Sequence, residues 1–189
     1  MLKKRVFLAV PVDPVEPVVA KMEQLKRQFY DLRIKWVRPE NFHLTVFFFG
    51  EIPAQQVPLL RELLRSALKN TSAFSFLLTG PGIFKKGKEL KVLWLGIKGS
   101  DQLYELKKET DNAVATLGFL TEDKPFRPHL TLGRFLSHQS SSSDLENSLK
   151  EPHLWEPVEY EVTNLILFES KLFPDGPQYD PIEVFPLLP

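Results

Sequence analysis

The sequence predicts an α+β fold, and three observations predict it. Apolar residues recur with the two-residue period of strands in some stretches and with the helical period in others. Their order is strand–helix–strand–strand–helix–strand, then strand–helix–strand–strand. A tetrad, His43-Leu44-Thr45-Val46, returns as His129-Leu130-Thr131-Leu132, each inside an apolar run. The chain, 189 residues long, 43% apolar and 25% charged, has the material for a single domain with a sizeable core. The order of elements suggests a rough internal duplication. Each half would carry a small antiparallel sheet covered outside by helices.

Val6 to Val10 reads as a buried strand, stopped by Pro11, Pro14 and Pro17. Val18, Val19, Met22, Leu25 and Phe29 follow at helical spacing, with polar residues between them. Ile34 to Val37 is a short strand leading into the first His-x-Thr strand, which Gly50 and Pro53 close. In the second helix Val57, Leu60, Leu64 and Leu68 line one face, and Arg61, Glu62, Arg65 and Lys69 the other. Strands are expected at Phe74–Leu78 and Leu90–Ile97, separated by a turn-rich loop with Gly80, Pro81, Gly82 and Gly87. Ser100 or Asp101 can cap the third helix, and Gly118 ends it. The second His-x-Thr strand comes next. Residues 137–143 read as a serine-rich surface loop, and 144–149 as a short helix. Val158 to Phe168 reads as one long strand with a bulge near Asn164, and Tyr179 to Phe185 as the last strand.

Composition narrows the function classes. Lys and Arg together number 24 and so do Asp and Glu, so no global field attracts a polyanion. A nucleic-acid partner would have to be held at a few phosphates. The absence of cysteine excludes disulfides, thiolate metal sites and cysteine nucleophiles. The apolar run after Met1-Leu-Lys-Lys-Arg5 is too short for a signal peptide, and no stretch is long enough to cross a bilayer. A cytoplasmic monomer is expected.

The tetrads carry the chemistry. In a strand, His43 and Thr45 point to one face and Leu44 and Val46 to the other, and His129 and Thr131 behave alike. A single His-x-Thr on a strand is usually a satisfied structural histidine. Here two of the chain's four histidines fall in the same tetrad. The flanks match as well: Trp36-Val37-Arg38-Pro39 precedes the first copy and Phe126-Arg127-Pro128 the second. Two histidines could also hold zinc, but a third protein ligand is missing and no His-Glu-x-x-His spacing exists.

With these flanks the chain resembles the 2H phosphoesterases, and among them the RNA 2′,3′-cyclic phosphodiesterases, also called 2′-5′ RNA ligases. The resemblance rests on Arg5–Val10, Trp36–Glu51, Gly82–Phe84, Val92–Gly96, Gly118-Phe119, Pro125–Arg134 and Leu167–Ser170. It departs from the family at Val46, where Leu is commoner, and at Gly133, where Ala is. The resemblance implies one two-lobed catalytic domain over residues 1–189, with the histidines facing each other across a groove. It implies an enzyme that needs no cofactor and hydrolyses RNA ends or nucleotides bearing a 2′,3′-cyclic phosphate, leaving a 2′-phosphomonoester. Joining tRNA halves through a 2′-5′ linkage, the reverse reaction, is the alternative activity, and a non-catalytic RNA-end binder the alternative class.

Water attack on a cyclic phosphodiester needs a base on one side of phosphorus and an acid on the other, which two imidazoles supply near neutrality. Thr45 and Thr131 can donate to the non-bridging oxygens, where charge grows. The resemblance suggests His43 as acid and His129 as base, although the tetrads themselves do not distinguish them. It also matches Arg134 to a phosphate-holding arginine. Strand parity puts Arg134 on the face opposite His129, so it contributes only if the strand ends or bulges near Gly133; the plain alternative is an arginine paired with a carboxylate. Arg127, before Pro128, reaches the groove or braces its loop. Phe48 matches a family aromatic but is assigned by parity to the core face, with base stacking as the alternative, and Phe7, His138 and His153 to ordinary packing or surface roles. Lys85, Lys86, Lys88 and Lys91 form the one basic cluster, either solvated or an RNA clamp.

Overall fold

Nine strands and three helices account for nearly all the regular structure among the described residues. A computed structural model of the chain describes residues 2–121, 124–136, 149, 155–174 and 176–189. The serine-rich stretch, the helix expected over 144–149 (Leu149 excepted, which is buried), His138 and His153 lie outside them. In chain order the elements are β1 (Lys3–Pro11), α1 (Glu16–Gln28), β2 (Ile34–Trp36), β3 (His43–Pro53), α2 (Val57–Leu68), β4 (Phe74–Lys86), β5 (Glu89–Lys98), α3 (Asp101–Ala115), β6 (His129–Phe135), β7 (Val158–Val162), β8 (Asn164–Phe173) and β9 (Gly176–Pro186). No helix among the described residues is long and apolar enough to cross a membrane.

The strands form two antiparallel sheets, β3-β1-β8-β9 and β2-β6-β5-β4-β7. The fold is therefore α+β with two sheets, each presenting one face to helices. The sheets do not follow the halves of the chain, as the apparent duplication suggested. The first sheet joins the N-terminal β1 and β3 to the C-terminal β8 and β9. The crossover lies at Thr163: Val162 pairs with Phe74 in the second sheet, and Asn164 with Pro186 in the first. The change of parity near Asn164 thus marks a strand leaving one sheet for the other, where a single bulged strand was expected.

One core runs beneath both sheets. Val6, Leu8 and Val10 of β1 join Leu44, Leu165 and Leu167 in it, as do Leu93, Leu95, Leu130 and Leu132 of the second sheet. Each such side chain contributes about 1.5–3 kcal/mol on leaving water. The apolar stripe of α2, Val57, Leu60, Leu64 and Leu68, is buried as its spacing predicts. Ser100 caps α3, its Oγ accepting from Leu103 N at 3.1 Å, and Gly118 follows the helix at φ 80°. Helices α2 and α3 lie over the first sheet, where Arg61 and Arg65 pair with Glu183 of β9 and the Lys107 ammonium sits 5.3 Å from the Phe47 ring. On α1, Lys26 lies over Trp36 of β2, a strand of the second sheet.

Most of the loop expected between residues 79 and 89 is instead strand, with only Gly87 and Lys88 left as a turn. β4 continues through Thr79-Gly80-Pro81-Gly82 to Lys86, slipping one residue against β5 between Leu78 and Pro81. A Cβ on Gly82 would lie 2.4 Å from the Trp94 ring, so the indole occupies the space of a missing side chain there, while one on Gly96 would lie 2.4 Å from Thr79 Oγ1 and 3.4 Å from the indole. Gly82→Ala is expected to displace the ring and cost about 1–3 kcal/mol, as overpacking does. Thermal unfolding should show a melting point several degrees lower, and an unchanged melting point would refute the packing reason.

Candidate active site

The two tetrads lie where period-two alternation puts them. Leu44 and Leu130 are fully buried, while His43, Thr45, His129 and Thr131 stand half-buried on the opposite faces. β3 is the edge of its sheet, and β2 pairs with β6 only from Gly133 onward, which leaves the His129 end open. Cα atoms of β3 and β6 come within 8 Å of one another. The charge of Arg134 acts on both imidazoles and that of His129 on His43, so the two histidines share one groove.

Each imidazole is held the same way. His43 Nδ1 donates to the carbonyl of Asn41 at 2.7 Å, and His129 Nδ1 to that of Arg127 at 2.8 Å. A carbonyl only accepts, so Nδ1 carries the proton and Nε2 is left for chemistry. Asn41 is itself anchored, its Nδ2 donating to Pro177 O at 3.1 Å. Each ring also meets an aromatic edge-to-face: Tyr179 at 5.1 Å from His43, Phe84 at 4.8 Å from His129. Phe7 is buried, but beneath His43 at 5.0 Å rather than in the main core. Tyr160 braces this corner, donating to Pro11 O and accepting from Asp13 N.

A pair of matched bulges completes the groove. Leu8 faces Phe47 and Ala9 faces Thr45, so Val46 is an extra residue in β3. Leu93 faces Gly133 and Trp94 faces Thr131, so Leu132 is the extra residue in β6. Each bulge reverses the parity after it. The fifth residue beyond each histidine therefore returns to the histidine face: Phe48 in one strand, Arg134 in the other. Phe48 is 46% exposed with the Arg5 guanidinium 4.6 Å above its ring, which corrects its assignment to the core. Arg134 meets the condition set by its sequence position. Gly133 suits the site because a Cβ there would stand 2.5 Å from Ile34 Cγ2 of β2.

The groove is electrostatically tuned. Burial pushes both imidazoles below the ordinary value of 6.5, against the carbonyl hydrogen bonds that favour the charged form. The positive charge of Arg134 depresses both further, and His129 adds to the depression of His43. Burial also raises the Tyr179 phenol, opposed by Arg134 and Arg5. Arg134 therefore acts on groups from both sheets. Arg127 does not enter this set: its carbonyl orients His129 while its side chain is exposed. Among the described residues no three His, Cys, Asp or Glu side chains gather as a metal-holding group.

Sequence reasoning missed Tyr179, Arg5 and Trp94. Tyr179 reaches His43 across β1 and β8, so no local spacing announced it. Gly82, directly against the Trp94 ring, was a readable signal for a close-packed indole.

Comparison with known proteins places the fold and the chain in a family. A family model described as the 2′-5′ RNA ligase superfamily matches residues 11–171. A protein from Thermotoga maritima, named RNA 2′,3′-cyclic phosphodiesterase, is 32% identical over 93% of this chain and 91% of its own. One of the same name from Methanothermobacter thermautotrophicus is 29% identical over 98% of this chain and all of its own. Among solved structures, TT0787 of Thermus thermophilus superposes with a TM-score of 0.77 at 27% identity, covering 97% of each chain. E. coli LigT complexed with 3′-AMP has the same fold at a TM-score of 0.72 and 23% identity, covering 98% of this chain and 99% of its own.

Proposed function

Because this chain belongs to the 2′-5′ RNA ligase superfamily, we propose that it hydrolyses RNA terminal 2′,3′-cyclic phosphates to 2′-phosphomonoesters. The observation that carries this is the matched pair of imidazoles, each fixed through Nδ1 so that Nε2 is left for chemistry, and both under the charge of Arg134. The shared name of the relatives from T. maritima and M. thermautotrophicus supports it.

In the reaction, His129 Nε2 takes a proton from water as its oxygen attacks phosphorus. The bond from phosphorus to the 3′ oxygen breaks, and His43 Nε2–H protonates that oxygen. The 2′ oxygen keeps the phosphate. Thr45 and Thr131 donate to the non-bridging oxygens, and Arg134 offers them a guanidinium, where charge builds in the transition state. Two neutral donors and one cation on an anionic centre leave no step that calls for a metal. Turnover of a 2′,3′-cyclic nucleotide should therefore proceed undiminished in EDTA. No turnover of mononucleotides or short oligonucleotides at high enzyme concentration would sink the proposal.

The depressed imidazoles set the pH dependence. The base must be neutral and the acid protonated, so kcat/KM should be bell-shaped, its optimum on the acid side of 6.5 because both groups titrate below that value in the free enzyme. Bound phosphate offsets the charge of Arg134 and favours imidazolium, so the kcat profile should lie at higher pH. A flat profile with tight binding would instead identify an end-binding module.

The family description favours ligation as a second reading of the same groove. Water at roughly 55 M is the competitor, so ligation wins only when a 5′-hydroxyl end is held in place. Incubation with tRNA halves decides it, since hydrolysis alone would remove the ligase reading.

A further inference from the structure

We propose that the β4–β5 hairpin holds the RNA strand that leads to the reacting end, through Lys86 and Lys88, and makes the enzyme selective for polynucleotide ends over mononucleotides. This rests on the hydrolytic reading above and specifies its substrate.

The hairpin starts inside the active site. After its slip at residues 79–80, β4 alternates with Ile83 toward the core and Gly82 and Phe84 toward the groove. Gly82 lies under Trp94, and the Phe84 ring is 4.8 Å from that of His129. The slip between Phe84 and Lys85 inserts its extra residue, Lys91, in β5, so alternation along β4 continues unbroken. Lys86 therefore shares the face of Phe84, two residues farther out, or about 7 Å along the strand. Val92 pairs with both Arg134 and Phe84, so Arg134 and Phe84 occupy one rung of the sheet and Lys86 stands beyond it. The positive charge that begins at Arg134 continues away from the histidines along this hairpin.

The hairpin is built to hold those charges in place. Lys86 pairs with Glu89 across a loop of only Gly87 and Lys88. Gly87 has φ 61° and Lys88 does not have a positive φ, the arrangement of a tight turn with glycine first. Lys86 and Lys88 are exposed and make no ion pair with the described residues, whereas Lys4, Lys26, Lys91, Lys107 and Lys171 each have a carboxylate partner. Two ammonium groups with no ion-pair partner among the described residues, on a tight hairpin whose Glu89 is engaged by Lys91, form a local anion site continuous with the groove. A single-stranded RNA with its cyclic phosphate between the histidines has its next phosphates within reach of such a site. A mononucleotide has none.

The test compares 2′,3′-cyclic CMP with a single-stranded oligoribonucleotide ending in a 2′,3′-cyclic phosphate, for the wild-type enzyme and for the double variant Lys86→Gln, Lys88→Gln. Wild-type kcat/KM should favour the oligonucleotide. The variant should lose about tenfold on the oligonucleotide, mostly in KM, and nothing on cyclic CMP. Affinity for a matching oligonucleotide with a plain 3′-phosphate is measured in parallel against salt. The logarithmic slope should shrink by about 1.4 in the variant, at ~0.7 for each phosphate contact on a single strand. Equal losses on both substrates, or no loss on the oligonucleotide, would overturn the proposal. If neither substrate turns over, hydrolysis fails as a reading, while lysine-dependent binding of the 3′-phosphate oligonucleotide upholds the clamp and lysine-independent binding overturns it.

Discussion

Replacing either histidine by alanine is expected to slow hydrolysis of an ordinary ribose 2′,3′-cyclic phosphate at least ~100-fold, the scale of losing a positioned acid or base. The two variants should then part company on an activated phosphodiester that releases nitrophenolate. A good leaving group needs no proton, so the His43→Ala enzyme should recover most of its rate, while His129→Ala still lacks its base and stays slow. Rescue of His129→Ala alone would reverse the roles. Rescue of neither would mean that both imidazoles position the phosphate. The near-identical support of the rings makes this experiment informative. Each donates Nδ1–H to a carbonyl two residues earlier and meets an aromatic edge, so geometry alone does not separate acid from base. The charge of His129 does act on His43, so the alanine variant at 129 should also raise the pKa of the remaining imidazole.

Arg134→Gln carries the second large expected effect. A cation aimed at developing phosphate charge stabilises the transition state more than the bound substrate, so its loss should cost about 10²–10³ in kcat. A second signature separates this role from a structural one. The guanidinium lowers the pKa of both histidines, so its removal lets both rise, and both limbs of the kcat/KM profile should move to higher pH. Arg134→Lys keeps the charge but loses the planar fork, so it should retain the wild-type pH profile at an intermediate rate. An Arg134→Gln enzyme with an unshifted profile would show that the side chain does not act on the groove.

Much of this was legible in the sequence because it depends on residues close together in the chain. The tetrads sit on strands with the predicted faces, since a period of two is a local property of extended backbone. The α2 stripe, the Ser100 cap and the stop at Gly118 are likewise local. The family resemblance, drawn from tetrads and flanks, is matched by the family model over residues 11–171. Where period-two counting failed, it failed after position four of each tetrad. It put Phe48 in the core and left Arg134 conditional, because a bulge is decided by the partner strand: Leu8 to Ala9 and Leu93 to Trp94 advance one residue while β3 and β6 advance two.

The remaining features were settled by contacts between distant segments. Gly80-Pro81-Gly82 has the composition of a turn, yet it runs as strand paired with β5, with Trp94 filling the space that Gly82 leaves. Val158 to Phe168 reads as one strand, yet the two sides of Thr163 join different sheets, since each finds its hydrogen-bonding edge elsewhere. Tyr179 reaches His43 from the far end of the chain. By itself, then, the sequence determined the α+β class, the paired imidazoles and hydroxyls and the reaction they suit. Only the tertiary structure decided which strands share a sheet, and with that which side chains beyond the tetrads face the groove, because strand pairing and bulges depend on the partner's register and not on the strand's own residues.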